Sequence, residues 1–362
     1  MGILNRYIFI TFSFGLLLAV MLLLAIDVLF NLIKELNDIT AVYTLGDVFF
    51  YVMLTIPSKI YELFPVSVVV AVVVSLGALA SGSELVVMMA SGISKLRIAG
   101  VVLMGVFFWL ILVVWMGEFV APKGDQMAQQ FRNEQVSRGK ATSVTNAIWL
   151  RDGDVIFRTN QMKAGLDPDS YELTGVTVFE LQDKRLVKVS EADRALYQNR
   201  QWELLNLKVS VFADDGVRVE TVERQSWDSR IEPAILNIST TRPKYLSIRD
   251  INKFQQFNDQ QRELQSSYRI ALWSKFAFPL LVMATALCGV MVLFGQVRSG
   301  GFAQRLVTGI VIGIVVYLIN KTLLNYGEVY HVHPLWVTTM PAVLLMTVML
   351  LLLSGRLRWL SR

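Results

Sequence analysis

Residues 81–97 read SGSELVVMMASGISKLR and separate two long apolar runs. Ser81 and Glu84 have the spacing of a capping box, and Gly92 follows where a glycine favours the end of a helix. The pattern predicts a short helix at 81–93, but about ten residues cannot cross a bilayer, which requires ~20. The stretch therefore predicts a membrane protein with a short capped helix on one side of the membrane.

The composition is that of an integral membrane protein with one sizeable polar insert. Of 362 residues, 54% are hydrophobic and 17% are charged, and the mean hydropathy is +0.49. The single cysteine, Cys288, excludes a disulfide framework within the chain and lies in an apolar run. His331 and His333 have no further metal-ligating residue nearby and read as a polar loop. We expect no metal site, no cofactor and no catalytic residue.

Apolar segments long enough to span a bilayer occur six times in the sequence. The first is longer than the apolar region of a cleaved signal peptide, and no small-residue cleavage site follows it. We therefore expect six transmembrane helices. Their approximate bounds are 7–33, 48–80, 96–121, 270–294, 302–324 and 335–353.

Basic residues in the short loops predict the orientation of these helices. One side offers only Lys34 and Lys321, whereas the other side is rich in arginine and lysine. The positive-inside rule places both termini and residues 81–93 in the cytoplasm and the long insert outside it. The basic residues of the cytoplasmic side are Arg6, Lys95, Arg97, Arg298, Arg305, Arg356, Arg358 and Arg362.

The insert at 122–266 has the pattern of a β domain. It carries 21 basic and 21 acidic residues, so its charge does not favour binding to nucleic acid. Its apolar residues alternate with period two, and Asp152-Gly153 has the composition of a hairpin turn. We predict an all-β, jelly-roll-like domain, followed by a return helix at 247–267. The predicted division is 1–121 and 267–362 in the membrane, with 122–266 between them.

Motifs for nucleotide binding and hydrolysis are missing from the sequence. It contains no G-x-x-x-x-G-K-[ST], no G-x-S-x-G and no H-E-x-x-H. A permease that depends on a separate ATPase fits this pattern. A secondary transporter is less favoured, because only Asp27 approaches midplane depth and the two three-helix halves share no evident repeat. A membrane anchor for the β domain would need one span only.

Three segments, SELVVMMASGIS, EFVAPKGDQMA and LWSKFAFPL, together with this layout, resemble the LptF/LptG permeases of the lipopolysaccharide transporter. The first two segments favour an LptG-type subunit, with the paralogous LptF type as the alternative. The resemblance implies an ABC-transporter subunit in the inner membrane of a Gram-negative bacterium. Such a subunit extracts lipopolysaccharide from the outer leaflet and passes it through a periplasmic β domain. The implied partners are an LptB-like ATPase dimer, an LptF-like permease, a single-span LptC-like protein and an LptA-like bridge.

The short helix is the predicted contact with the ATPase. Glu84 either caps the helix or offers its carboxylate to an arginine of the ATPase, and we favour the contact. Met88 and Ser91 follow at i+4 and i+7 and are expected on the same face. The predicted ATPase-coupling residues are Glu84, Leu85, Met88, Ser91 and Gly92.

Basic residues at the outer ends of the helices are the predicted substrate-binding groups. A phosphorylated lipid headgroup lies at that depth, and lysine and arginine bind phosphate. Asp27 is an intramembrane charge without an assigned role, on the same face as Lys34. The predicted substrate-binding residues are Lys34, Lys59, Arg132 and Lys321.

Two further patterns concern helix packing. Glu118 and Lys275 are expected to form a structural ion pair between the third and fourth spans. Gly309 and Gly313 form a G-x-x-x-G motif in the fifth span, which allows a close approach to another helix.

Overall fold

A computed structural model describes residues 2–39, 42–139, 147–164, 170–183, 185–198, 201–213, 216–257, 262–294 and 301–353. The chain divides into two compact units. One is Met1–Arg132 with Ser266–Arg362, and the other is Asn133–Gln265. Of the basic residues used to predict the orientation, Arg298, Arg356, Arg358 and Arg362 lie outside the described residues.

Helices dominate the first unit, and a sheet with two short helices forms most of the second. Within the described residues, six helical segments are long and apolar enough to cross a membrane, and the third runs from α4 into α5. The β strands lie between the third and fourth of these segments, so the predicted fold class is confirmed. The helices are α1 (Ile3–Leu36), α2 (Leu45–Ser81), α3 (Glu84–Ala90), α4 (Lys95–Phe119), α5 (Ala121–Gly139), α6 (Pro233–Thr240), α7 (Ile248–Phe257), α8 (Arg262–Phe294), α9 (Phe302–Val329) and α10 (Pro334–Leu353).

The long helix α2 is the centre of the helical unit. In its most apolar window 78% of residues are buried, against 11% for α1 and for α9. Its 37 residues correspond to about 55 Å of helix, longer than the ~30 Å hydrocarbon core of a bilayer. Small side chains let its neighbours approach closely: a Cβ built at Gly289 of α8 would lie 2.9 Å from Val72 Cβ. Helices on several sides therefore use α2 as a common packing surface.

The G-x-x-x-G motif of α9 packs against α2 of the same chain. A Cβ built at Gly313 would lie 2.7 Å from Val66 Cγ1, and one at Gly309 would lie 3.3 Å from Val73 Cβ. Glycine removes the side chains that would otherwise hold the two backbones apart. The predicted close approach is thus observed within the chain.

Gly313→Ala is expected to destabilise the packing of α9 on α2. The added methyl group must displace Val66, and overpacking of this kind costs about 1–3 kcal/mol. The thermal melting temperature of the purified protein in detergent measures the effect. Gly100→Ala is the matched control, because it lies within helix α4 and nothing lies within 4 Å of its built Cβ. Equal melting temperatures for the two variants would contradict the proposed contact.

The second unit contains an antiparallel sheet with seven described strands. Its order is β1-β2-β4-β5-β6-β7, with β3 paired to β4. The predicted turn at Asp152-Gly153 is confirmed, because Asp152 pairs with Val155 across the first hairpin. The insert is therefore a β domain, as expected for a jelly-roll-like insert. Apart from β3, its described strands lie side by side in the order in which they follow along the chain. They are β1 (Ile148–Asp152), β2 (Val155–Thr159), β3 (Gln161–Ala164), β4 (Tyr171–Gln182), β5 (Arg185–Gln198), β6 (Gln201–Ala213) and β7 (Gly216–Trp227).

One face of the sheet carries the core of the β domain. Trp202 is 1% exposed, and its indole N–H donates a hydrogen bond of 2.6 Å to the Ile231 carbonyl. Phe157 is fully buried and stacks on Trp227 at 5.3 Å between ring centroids. The indole thus ties β6 to the segment before α6 while it fills the core, which gives a buried tryptophan its hydrogen-bond partner.

Candidate functional site

Helix α3 occupies a tight connection between α2 and α4. It has seven residues and begins after Ser83, whose φ of 60° is in the left-handed region. The predicted capping box of Ser81 and Glu84 is wrong, because Ser81 is the last residue of α2 and its hydroxyl donates to the Gly77 carbonyl at 2.9 Å. Gly92 has a φ of 92°, as expected for a glycine that follows the end of a helix.

Only part of α3 is accessible to a partner. Leu85 and Met88 are 4% and 7% exposed and belong to the core of the helical unit. Leu85 and Met88, both predicted as ATPase-coupling residues, are therefore not exposed to a partner in this structure. The i, i+3 spacing of Leu85 and Met88 is the pattern of a buried stripe, and in so short a helix that stripe anchors it to the bundle. The exposed residues are Glu84, Val86, Val87, Ala90, Ser91 and Gly92.

Glu84 lies near a polar group of α1. The Tyr7 hydroxyl, near the start of α1, is close to the Glu84 carboxylate. At the same end of the helical unit, the Lys95 ammonium lies 5.2 Å from the centroid of the Phe294 ring. The beginnings of α1, α3 and α4 and the end of α8 therefore meet in one region. We call this region the α3 surface, formed by Tyr7, Glu84, Val86, Val87 and Ser91.

Arg132 lies in a separate cluster at the opposite end of α1. Its Nε is 2.9 Å from Glu35 Oε2, and its Nη2 is 2.6 Å from Asp38 Oδ2. Glu35 is only 7% exposed, and it also accepts a hydrogen bond from the Tyr43 hydroxyl at 3.5 Å. Burial and the Glu35 carboxylate raise the pKa of Tyr43 well above its usual range. Arg132 thus joins α5 to the end of α1, and its contact with a headgroup stays a prediction.

Helix α5 begins against α2, which explains why residues 122–132 belong to the helical unit and not to the insert. The Ser58 hydroxyl donates to the buried Asp125 carboxylate. A Cβ built at Gly124 would lie 2.5 Å from the Leu54 carbonyl oxygen. The predicted boundary at 121 fell where the hydrophobicity ends, but these polar contacts extend the packing of the bundle beyond that point.

Lys59 is held between two carboxylates. Its ammonium is 3.8 Å from Asp27 Oδ2 on α1 and 3.9 Å from Glu62 Oε2 on α2. Asn31 donates to Asp27 Oδ2 at 2.7 Å, and the Tyr317 hydroxyl of α9 donates to Glu62 Oε1 at 2.9 Å. We call these five residues the Lys59 network. They lie half-buried on three helices and connect α1 and α9 through α2.

The predicted substrate-binding residues therefore fall in different places. Lys321 lies 5.6 Å from the Tyr317 ring centroid and so adjoins the Lys59 network. Lys34 is exposed on the last turn of α1, and Arg132 lies in its own cluster. Asp27 pairs with Lys59. Asn31, Glu62 and Tyr317 were not predicted as site residues, although the spacing of Asp27 and Asn31 and of Lys59 and Glu62 is that of helical neighbours.

Glu118 and Lys275 form the predicted ion pair. The Lys275 ammonium is 2.8 Å from Glu118 Oε2, and the lysine and glutamate side chains are 12% and 21% exposed. The pair joins α4 to α8. Because both side chains are largely buried, removal of one partner would leave the other charge unpaired in a poorly solvated place.

Comparison with known proteins finds one protein family that matches nearly the whole chain. The family model described as lipopolysaccharide export system permease LptF/LptG matches residues 6–355. The lipopolysaccharide export system permease protein LptG of Haemophilus influenzae is 25% identical over 357 residues, covering 98% of each chain. The protein of the same name from Escherichia coli K12 is 26% identical over 360 residues, covering 98% of this chain and 99% of the relative. Both curated relatives carry the LptG name, which does not favour the LptF alternative.

Proposed function

Because the chain belongs to the LptF/LptG family of lipopolysaccharide export system permeases, we propose that it extracts lipopolysaccharide from the outer leaflet of the inner membrane. It is a multi-pass protein of that membrane, with six apolar helices among its described residues. The observation that carries the proposal is the family match over residues 6–355, which includes both the six helices and the β domain. The lipid then passes by the β domain toward the outer membrane.

The proposed orientation follows from the order of the helices. Helix α3 comes after two crossings and lies on the side of the N-terminus, and the contact of Tyr7 with Glu84 supports this. The β domain comes after the third crossing and so lies on the opposite side. Arg6, Lys95 and Arg97 lie on the side of α3, which makes that side cytoplasmic by the positive-inside rule. The β domain is then periplasmic, and both termini are cytoplasmic.

The α3 surface is the proposed contact with the ATPase. Val86 and Val87 are 41% and 66% exposed beside the Glu84 carboxylate, a combination that suits insertion of a helix into a groove. The sequence has no P-loop, so ATP hydrolysis comes from a separate, LptB-like dimer. An LptF-like permease, an LptC-like single-span protein and an LptA-like bridge complete the proposed assembly.

The substrate headgroup is proposed to meet the basic residues beyond the apolar part of the bundle. Lys59 and Lys321 adjoin each other through Tyr317, and Lys34 is exposed at the end of α1. Phosphates of the lipopolysaccharide headgroup supply the negative charge that lysine binds. Arg132 is left out of this proposed group, because it bonds its two carboxylates at 2.9 and 2.6 Å, closer than Lys59 lies to either of its own.

Purification from its own membrane tests the proposal. We expect the tagged chain to co-purify with an ATPase and with lipopolysaccharide, identified by mass spectrometry. The complex should hydrolyse ATP and release lipopolysaccharide to a periplasmic acceptor, whereas the isolated chain should not hydrolyse ATP. ATP hydrolysis by the isolated chain, or a complex that carries no lipopolysaccharide, would overturn the proposed function.

A further inference from the structure

Lys59 lies farther from its carboxylate partners than Lys275 and Arg132 lie from theirs. Its ammonium is 3.8 and 3.9 Å from its two carboxylates, whereas the Lys275–Glu118 pair closes to 2.8 Å and Arg132–Glu35 to 2.9 Å. Direct charge-assisted hydrogen bonds of this type are about 2.7–2.9 Å long. Lys59 therefore lies between its two partners without a close hydrogen bond to either one.

Both carboxylates beside Lys59 accept a closer hydrogen bond from a neutral group. Asn31 donates to Asp27 at 2.7 Å, one turn along α1, and Tyr317 donates to Glu62 at 2.9 Å across from α9. A buried carboxylate that loses all of its donors carries a large desolvation penalty. Here Lys59 can leave either carboxylate without removing these neutral donors. Departure of the ammonium also breaks no close hydrogen bond, whereas departure of Arg132 would break two, at 2.9 and 2.6 Å.

The neutral donors also hold the two carboxylates in place. Tyr317 follows Gly309 and Gly313 at intervals of four, so it lies on the face of α9 that contacts α2. Asn31 bonds both the Asp27 carboxylate and the Asp27 backbone carbonyl, which restrains its amide. The carboxylates therefore stay in position when the lysine moves, and they attract it back afterwards.

From this geometry we propose that Asp27 and Glu62 are release groups, which compete with the substrate's headgroup phosphate for the Lys59 ammonium. This inference rests on the proposed function and adds a mechanism to it. When a phosphorylated headgroup arrives, Lys59 turns from the carboxylates to the phosphate. Because the carboxylates remain nearby, the bound state is kept weak, and the headgroup leaves as Lys59 returns. The network thus favours passage of the lipid over its retention.

The first test removes the competing charges. Asp27→Asn and Glu62→Gln keep the side-chain shapes but lose the negative charges, so Lys59 should stay longer with the phosphate. We expect dissociation of lipopolysaccharide from the purified transporter in lipid nanodiscs to slow by about threefold or more for each variant. ATP-driven delivery should fall in parallel while bound lipopolysaccharide per complex rises. Unchanged or faster dissociation in both variants would overturn the proposal.

A second variant is expected to act in the opposite direction. Tyr317→Phe removes the neutral donor from Glu62 but leaves its charge, so Glu62 should hold Lys59 more strongly. Lipopolysaccharide should then dissociate faster than from the unchanged protein. Slower dissociation would overturn the proposed competition. If the network were merely structural, all three variants would weaken it, and all three would change the dissociation rate in the same direction.

Glu118→Gln is the matched control, because it removes another half-buried carboxylate that pairs with a lysine of the same unit. Its dissociation rate should match that of the unchanged protein. Dephosphorylated lipopolysaccharide should show no difference among the variants. Phosphatidylglycerol tests the alternative source of phosphate, and an equal effect on it would overturn the assignment to the lipopolysaccharide headgroup.

Lys59→Gln separates this inference from the proposed function. If the variant retains lipopolysaccharide as the unchanged protein does, Lys59 does not hold the headgroup and the inference fails, while the transport function stands. If the unchanged complex binds no lipopolysaccharide at all, the proposed function fails with it. Faster dissociation from Lys59→Gln, together with slower dissociation from Asp27→Asn, supports the inference.

Discussion

Glu84→Arg is expected to abolish association with the ATPase, and Glu84→Gln to weaken it strongly. If Glu84 meets an arginine in the ATPase groove, glutamine loses the charge-assisted bond and leaves that cation underpaired. Truncation of such a pair costs on the order of 2–5 kcal/mol, and arginine adds repulsion between like charges. The measurement is the amount of ATPase that co-purifies per permease, with insertion of the permease at normal levels.

The contact of Glu84 with Tyr7 supplies the control for this experiment. Tyr7→Phe removes the hydroxyl that lies near Glu84 and keeps the Glu84 carboxylate, so the ATPase yield should stay near normal. If Tyr7→Phe lowers the yield as much as Glu84→Gln does, Glu84 acts by holding α3 to α1. Wild-type yields for both Glu84 variants would leave the contact to Val86 and Val87, which are exposed on the same surface.

Arg132→Leu is expected to destabilise the protein by about 3–5 kcal/mol, because it strands Glu35 and Asp38 without their shared cation. Glu35 is nearly fully buried, so water cannot replace the lost bonds well. Arg132→Lys should be intermediate, since lysine keeps the charge but lacks the planar fork that reaches both carboxylates. Thermal melting of the purified protein in detergent measures the loss.

Lys123→Leu is the matched control for Arg132, because it removes an exposed cation from the same helix α5. Its melting temperature should change little. The prediction would be contradicted if Arg132→Leu left the melting temperature unchanged and the variant no longer retained lipopolysaccharide. That outcome would return Arg132 to the substrate-binding role predicted from the sequence.

The six helices, the β insert and its first hairpin were all predictable from the sequence. Each depends on a local pattern: span length, alternation with period two, or a turn composition such as Asp152-Gly153. The Glu118–Lys275 pair was also predictable, because the helix ends bring the two spans to one level. Local patterns suffice where the membrane sets the length of a helix or a sheet sets the alternation of its side chains.

The tertiary structure decided which charges are paired and which face of α3 is exposed. From the sequence, Lys59 and Arg132 were alike predicted as cations at one depth. In the structure each pairs with a carboxylate of α1, and Lys59 also lies near Glu62 of its own helix. Met88 looked accessible beside Glu84 until the bundle buried it. A charge buried in an apolar bundle must find an opposite charge or a hydrogen-bond donor. Only the packing of α1, α5 and α9 around α2 determines which groups come within that distance.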